Sequence, residues 1–226
     1  MFAMPKYLLT FEKGESVRWL GHLDILRTFE RAIRRARLPV AFSAGYNPRE
    51  RLTFASALST GVTGAQEPAT LELTAPQTAE EIACSLNAAL PPGIRIVACR
   101  EIPEAGAREL LHGFDRAEYE VVCACSPDTS AAAMDAAIAT LLAQPQIEIT
   151  REREGRRKTA DIRPFLHALR LRPQSVQNSR LTLDMTVSVG EGIMARPAEI
   201  VGALAERLPG LKVRRAHRAR LFCSRE

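Results

Sequence analysis

Apolar positions along the chain change spacing repeatedly, and the changes mark out an alternation of strands and helices. Residues 6–12 (KYLLTFE) are apolar and β-prone and predict a first strand. After a loop containing Gly14, a helix is expected from Gly21. Leu23, Leu26, Phe29, Ile33 and Ala36 recur there at intervals of three or four as its buried stripe. Asp24 stands in its first turn, where a carboxylate complements the helix dipole, and Leu38-Pro39 ends it. Residues 40–43 read as a short strand and Gly45-Tyr46-Asn47-Pro48 as a turn. Residues 51–58 and 69–74 alternate like strands, with Gly61 and Gly64 in the connection between them. Thr78 opens a second helix with the capping-box pattern TAEE, and Ile82, Leu86 and Leu90 continue its apolar face. Pro91-Pro92-Gly93 stops it, and residues 94–102 predict another strand.

Residues 103–115 read as a linker or short helix, after which the pattern restarts. A strand is expected over 119–125. An alanine-rich helix follows over 130–143, with Met134, Ile138, Leu141 and Leu142 as its apolar face. Residues 147–152 and 158–162 suggest a hairpin around Glu154-Gly155, and 164–169 a short turn or helix. An alternating strand over 181–189, a helix over 197–208 with Pro197 in its first turn, and a strand over 211–222 complete the chain. The expected class is α+β, as two tandem ferredoxin-like (β-α-β-β-α-β) modules. The first module would span 1–103 and the second 116–226, joined by a linker over 104–115.

Composition agrees with a packed globular chain: 226 residues, 46% hydrophobic and 25% charged. No apolar run suits a signal peptide or a membrane span, so a cytoplasmic location is expected. The formal net charge is +5 and the lysines are Lys6, Lys13, Lys158 and Lys212, so arginine carries nearly all the positive charge. Arginine gives planar, bidentate recognition of phosphate, although a high-GC genome also raises the Arg/Lys ratio. Position is therefore more informative than number.

Arg27, Arg31, Arg34 and Arg35 recur with helical period beside the apolar stripe, over about 12 Å of helix or two to three phosphate spacings. Arg49 and Arg51 follow the turn. The hairpin adds Arg151, Arg153, Arg156, Arg157, Lys158 and Arg163, interleaved with Glu148, Glu152 and Glu154. The last strand adds Lys212, Arg214, Arg215, Arg218 and Arg220. Arginine clusters on sheet-based modules are the electrostatic footprint of RNA binding. The competing reading is a solvated helix face whose arginines pair with Glu30 and other acids. Trp19 and Tyr46 are the candidates for exposed base stacking.

His22 stands at the helix start, where the dipole favours a neutral imidazole, so one alternative makes it the general base of a metal-independent RNA endonuclease or modifying enzyme. A capping or packing role competes with that. His112, His167 and His217 have no partner pattern. Cys84 and Cys99 suit core positions, Cys123 and Cys125 one face of a strand, and Cys223 stands alone, so no metal site is expected. No phosphate-binding glycine loop or hydrolase motif appears, and no catalytic residue is assigned.

The run GHLDILRTFERAIRRARLPVAFSAGYNPRERLTFASALSTGV resembles the opening of a radical SAM-linked protein family, a domain of unknown function. Its markers there are a G-H-x-D helix, R-A-x-R-R, L-P, a G-[FY]-N-P turn and L-x-x-G-V. KTADIRPFLHAL resembles the second marker, a basic-x-x-D-I-R-P stretch. Glu67 fits the segment that follows, while Ala69 stands where an aromatic is expected. The family occurs free-standing or fused to cobalamin-binding radical SAM enzymes. The resemblance therefore implies such an enzyme as partner, whose cofactors would be S-adenosylmethionine, an iron–sulfur cluster and cobalamin. This chain is expected to bind none of them. The leading expectation is an accessory, non-catalytic module that presents a tRNA or rRNA substrate through Arg27, Arg31, Arg34, Arg35, Arg49, Arg51, Lys158 and Arg163. A protein–protein adaptor for the same partner is the remaining alternative.

Overall fold

The computed structural model describes residues 4–103, 107–153, 155–190 and 194–224. Glu154 of the expected hairpin turn and residues 104–106 of the expected linker lie outside them. The protein is a mixed α+β structure that divides into two units, 1–114 with 220–226, and 115–219.

In the first unit the order is β1 (Lys6–Lys13), α1 (His22–Arg35), β2 (Leu52–Phe54), β3 (Val62–Glu72), α2 (Ala79–Ala89), β4 (Ile94–Ile102) and α3 (Ala107–Gly113). The strands run β4-β1-β3-β2, each pair antiparallel. Alternation along the strands sends Tyr7, Leu9 and Phe11 of β1 and Ala69 and Leu71 of β3 to one face, where they bury with α1 and α2. Phe11, Phe29 and Phe54 meet edge to face at 5.0–5.6 Å, which seats α1 on the sheet. Thr78 closes its capping box in full: Thr78 Oγ1 accepts from the Glu81 N–H and the Glu81 carboxylate accepts from the Thr78 N–H.

Several expected elements are corrected. Phe29 and Ile33 are buried as expected and Leu26 and Ala36 pack half-buried against the core, but Leu23 is 63% exposed and Ile25 and Ala32 complete the buried stripe. The stripe is rotated because the three-or-four spacing admits both registers, and only the sheet selects one. Residues 40–43 form isolated bridges, Val40 to Leu73 and Phe42 to Glu50, and no strand. β2 is short, whereas β3 begins at Val62 and takes in Gly64. Gly64 is needed there, since a Cβ would lie 2.3 Å from Oε1 of the buried Glu67.

The second unit contains β5 (Arg116–Ala124), α4 (Ala131–Ala143), β6 (Glu148–Arg153), β7 (Arg156–Asp161), β8 (Leu166–Leu171), β9 (Arg180–Ser188), α5 (Pro197–Ala205) and most of β10 (Lys212–Phe222). Its strands run β10-β5-β9-β8, and β6 pairs only with β7. Buried residues alternate along β5 and β9, and Met134, Ile138 and Leu141 of α4 and Ile200 and Leu204 of α5 are buried with them. Of the turn or helix expected over 164–169, a single 3-10 turn forms at Arg163–Phe165, and the rest is corrected by β8. Its burial repeats every third residue because the register shifts between Leu166 and Ala168, so its sequence imitates a helix. The hairpin β6–β7 stays off the main sheet because its residues 156–159 are all exposed and offer no apolar face.

Candidate functional site

The segment before α1 is built around the buried Lys13. Its Nζ donates to the carbonyls of Arg18 (2.9 Å) and Leu20 (2.8 Å), so the chain turns over the ammonium. Gly61 N–H donates to the Arg18 carbonyl at 2.8 Å from the other side. Gly61 has φ +82°, and a Cβ on it would lie 3.1 Å from the Trp19 ring. Both facts demand glycine, which explains the glycine of the L-x-x-G-V segment. Trp19 rests on that flat backbone, carries the Arg18 guanidinium over its ring at 4.7 Å, and is still 67% exposed. The Asp24 carboxylate then accepts from the Gly21 N–H at 3.1 Å and fixes the start of α1.

Rotating 100° per residue from the buried stripe, Arg27 and Arg34 fall opposite it, with Leu23 and Arg31 on either side and Arg35 further round. All of these side chains are exposed. They are not equivalent. Arg34 Nε donates at 2.8 Å to Oε1 of Glu50, whose side chain is 3% exposed. That contact raises the arginine's pKa and assigns Arg34 to holding the 41–51 loop. Arg31 reaches back to the Arg27 carbonyl at 3.2 Å, and Arg35 to the Ala89 carbonyl at 3.5 Å. Among the described residues, Arg27, Arg31, Arg35 and Arg49 form no ion pair. Like charges four apart on a helix repel.

Ser43 and Arg49 close the loop: Ser43 N–H donates to the Arg49 carbonyl (2.8 Å) and Arg49 N–H to Ser43 Oγ (3.0 Å). Tyr46 at its tip is fully exposed. Arg51 Nη1 pairs with Glu72 at 3.2 Å, a carboxylate that also binds Lys6 at 3.2 Å.

The other expected contributors are placed differently. Arg163 is bound into the fold, with Nε and Nη2 donating to the Leu142 carbonyl (3.2 and 2.9 Å) and Nη1 to that of Leu166 (3.1 Å). It joins the end of α4 to β8, and its donors face inward. Lys158 is exposed on β7, opposite Arg151. Arg151 itself is held in a fork by Glu199 (2.7 and 2.8 Å) and also donates to the Met194 carbonyl. In the last strand Arg218 is buried and Arg215 pairs with Glu120 at 3.1 Å. Glu120 also accepts from Arg172 (2.8 Å), which binds Asp184 at 2.6 Å. Arg151, Arg163, Arg215 and Arg218 therefore serve as internal ties, whereas Arg156, Arg157 and Lys158 of the hairpin and Lys212 and Arg214 of the last strand are exposed.

His22 is half-buried with its ring edge-on to Phe54 at 5.5 Å, a packing contact. Cys84, expected in the core, is exposed, while Cys123 and Cys125 are both buried. Burial pushes the Cys99 thiol up to about 11 and the Cys123 thiol up to about 12, so both stay protonated at neutral pH. Among the described residues no group of three His, Cys, Asp or Glu is arranged to hold a metal ion. Nor is any helix among them long and apolar enough to cross a membrane.

No curated protein matches the chain by sequence. Its fold is similar to that of a chain in a Cbf5-Nop10-Gar1 complex, with TM-score 0.57 and 10% identity over 96% of this chain and 50% of that one. An archaeal box H/ACA sRNP Nop10-Cbf5 complex gives TM-score 0.52, 11% identity and 96% and 48% coverage. An H/ACA RNP bound to a substrate RNA containing 2′-deoxyuridine gives 0.52, 9%, and 96% and 49%. The likeness is one of fold, and this chain spans about half the length of each of these three chains. At the level of sequence, residues 6–197 match a family of uncharacterized proteins conserved in bacteria, and the chain belongs to that family, DUF2344.

Proposed function

We propose that this protein is an accessory RNA-binding module that docks a structured RNA, tRNA or rRNA, on the α1 face of its first unit. The observation that carries the reading is the row of exposed arginines Arg27, Arg31 and Arg35, with Arg49 beside the loop, that no carboxylate among the described residues neutralises. Trp19 and Tyr46 flank it as stacking surfaces. Two of the similar folds come from H/ACA RNP structures, one of them bound to a substrate RNA, which supports the same class of ligand. The site so defined is narrower than the sequence suggested: Arg34 and Arg51 orient the loop, and Arg163 lies outside it. We read each unit as a ferredoxin-like module, supported by the shared strand pattern β4-β1-β3-β2 and β10-β5-β9-β8, with β6–β7 as an insertion. The resemblance of the 21–62 segment supports a cobalamin-type radical SAM enzyme as cytoplasmic partner and carrier of the reaction.

Electrophoretic shift of total RNA across a salt series tests the docking role. Binding that weakens steeply with salt is expected, and no shift at low salt overturns it. The exposed Trp19 and Leu23 beside arginines also suit a protein contact, the adaptor reading. Recovery of a radical SAM enzyme with the tagged protein after nuclease treatment, without any RNA shift, would favour the adaptor.

A further inference from the structure

The register shift that breaks the period of β8 also aims a histidine. Leu166 pairs with Val187 and Ala168 with Thr186, so His167 is the extra residue between two successive partners on β9. Its ring lies on the outer face of the second unit's sheet, opposite the buried Val187 and Met185, with His167 Nε2 2.7 Å from Ser188 Oγ. Ser188 pairs with Arg116 of β5, and Arg116 Nη1 stands 3.4 Å from the same hydroxyl oxygen. The Asp115 carboxylate holds that guanidinium at 2.9 Å.

An arginine can only donate, so the Arg116 contact takes a lone pair of Ser188 and leaves its O–H for His167. Partial desolvation of the ring, then the Arg116 guanidinium, lowers the His167 pKa; Arg163 adds to this and Asp115 opposes it. The imidazole is therefore neutral at pH 7 and able to accept a proton. A hydroxyl, a neutral base and a cation beside the oxygen are the groups that nucleophilic acyl transfer uses. Space for a substrate adjoins them. Thr186 and Ser188 lie two residues apart on one face of β9, about 7 Å. Thr186 lines, with Glu118, Ala168 and Ala219, a cavity of about 440 Å³, a volume typical of small-molecule sites.

We propose that Ser188 and His167 form a catalytic dyad that hydrolyses a small carboxylic ester bound in this cavity. Ser188 Oγ bonds to the ester carbonyl carbon as its proton passes to His167 Nε2, and the carbonyl π pair moves onto the oxygen beside Arg116. The carbonyl then re-forms, the bond to the alcohol oxygen breaks, and that oxygen takes the proton from Nε2. Water attacks the acyl-serine in the same way, giving a proton to Nε2. The carboxylic acid leaves as Ser188 Oγ takes that proton back. All these residues belong to the second unit, so the inference does not rest on RNA docking at α1.

The test is hydrolysis of p-nitrophenyl acetate by the full chain, followed by release of nitrophenolate. Turnover above the buffer rate is expected, rising with pH and half-maximal below about pH 6.5, the ordinary imidazole value. Ser188→Ala should abolish it. His167→Gln should slow it about 100-fold or more, the lower end of general-base catalysis. A fluorophosphonate should add to Ser188 in the wild type and fail to do so in His167→Gln, as read by mass spectrometry. His167→Gln remains decisive if Ser188→Ala fails to fold. Arg27→Gln/Arg31→Gln should leave turnover unchanged while weakening RNA, so the two readings fail separately. A rate equal to that of buffer overturns the proposal. So does wild-type turnover in Ser188→Ala, or phosphonate addition to Ser188 that is indifferent to His167.

Discussion

Replacing Arg27 and Arg31 together by glutamine isolates the electrostatics of the α1 face from the stability of the fold. Both side chains are exposed and make no ion pair among the described residues, so the double variant should melt with the wild type. Counting Arg27, Arg31, Arg35 and Arg49 as phosphate contacts, each releases at least about 0.7 counterion, the single-strand figure and the lower limit for a structured RNA, giving a slope of log K against log[salt] of about −2.8. Raising salt from about 50 to about 200 mM should then weaken wild-type binding about 50-fold. With Arg27 and Arg31 gone the slope falls to about −1.4, and the same salt step costs about 7-fold. The chain contains one tryptophan, Trp19, exposed at the edge of this face, so its fluorescence reports binding without a label. A double variant with the wild-type slope would show that the arginines do not touch phosphate. An RNA affinity indifferent to salt would refute the electrostatic account altogether.

Three further outcomes test the framework behind the site. Phe29→Ala empties the aromatic cluster that seats α1 and should cost about 3–5 kcal/mol in urea unfolding; a loss well under about 1 kcal/mol would mean that α1 is held elsewhere. Arg34→Ala should lower the melting temperature clearly, unlike Arg27→Ala, because it leaves the buried Glu50 carboxylate without its partner. Equal melting of the two would show that Arg34 is a surface charge after all. In the second unit the hydrogen bond from Arg172 holds Glu120 below the usual carboxylate range, against the opposing effect of its partial burial. A depressed folded-state pKa contributes stability that is present above the ordinary carboxylate range and lost as pH falls through the folded value. Arg172→Gln should therefore lower stability at neutral pH and flatten its decline in acid, and stability curves parallel to the wild type from pH 7 to pH 3 would contradict this.

Much of the local structure follows from short-range chemistry. The α2 capping box, the stop at Pro91-Pro92-Gly93 and the strand over 94–102 are set by neighbours a few residues apart, and they occur where the pattern places them. The misread elements are those whose pattern depends on a distant partner. Residues 166–171 show a three-residue burial period only because their register slips against β9. Likewise Leu23 and Ile25 are both apolar on α1, and the facing sheet decides which is buried.

The candidate site divides in the same way. An arginine stripe on α1 is visible in the chain, since helical period is a local property. Which arginines remain available is not, because it depends on carboxylates far along the chain. Glu50 takes Arg34 across sixteen residues, and Glu72 takes Arg51 across twenty-one. The Leu142 carbonyl captures Arg163 across twenty-one residues. The seat of Trp19 on Gly61 also arises only when segments distant in sequence become neighbours. The sequence by itself determined most of the elements and the sign of the charge. Only the tertiary structure decided the partners, because a guanidinium binds whichever carboxylate or carbonyl the fold brings within about 3 Å.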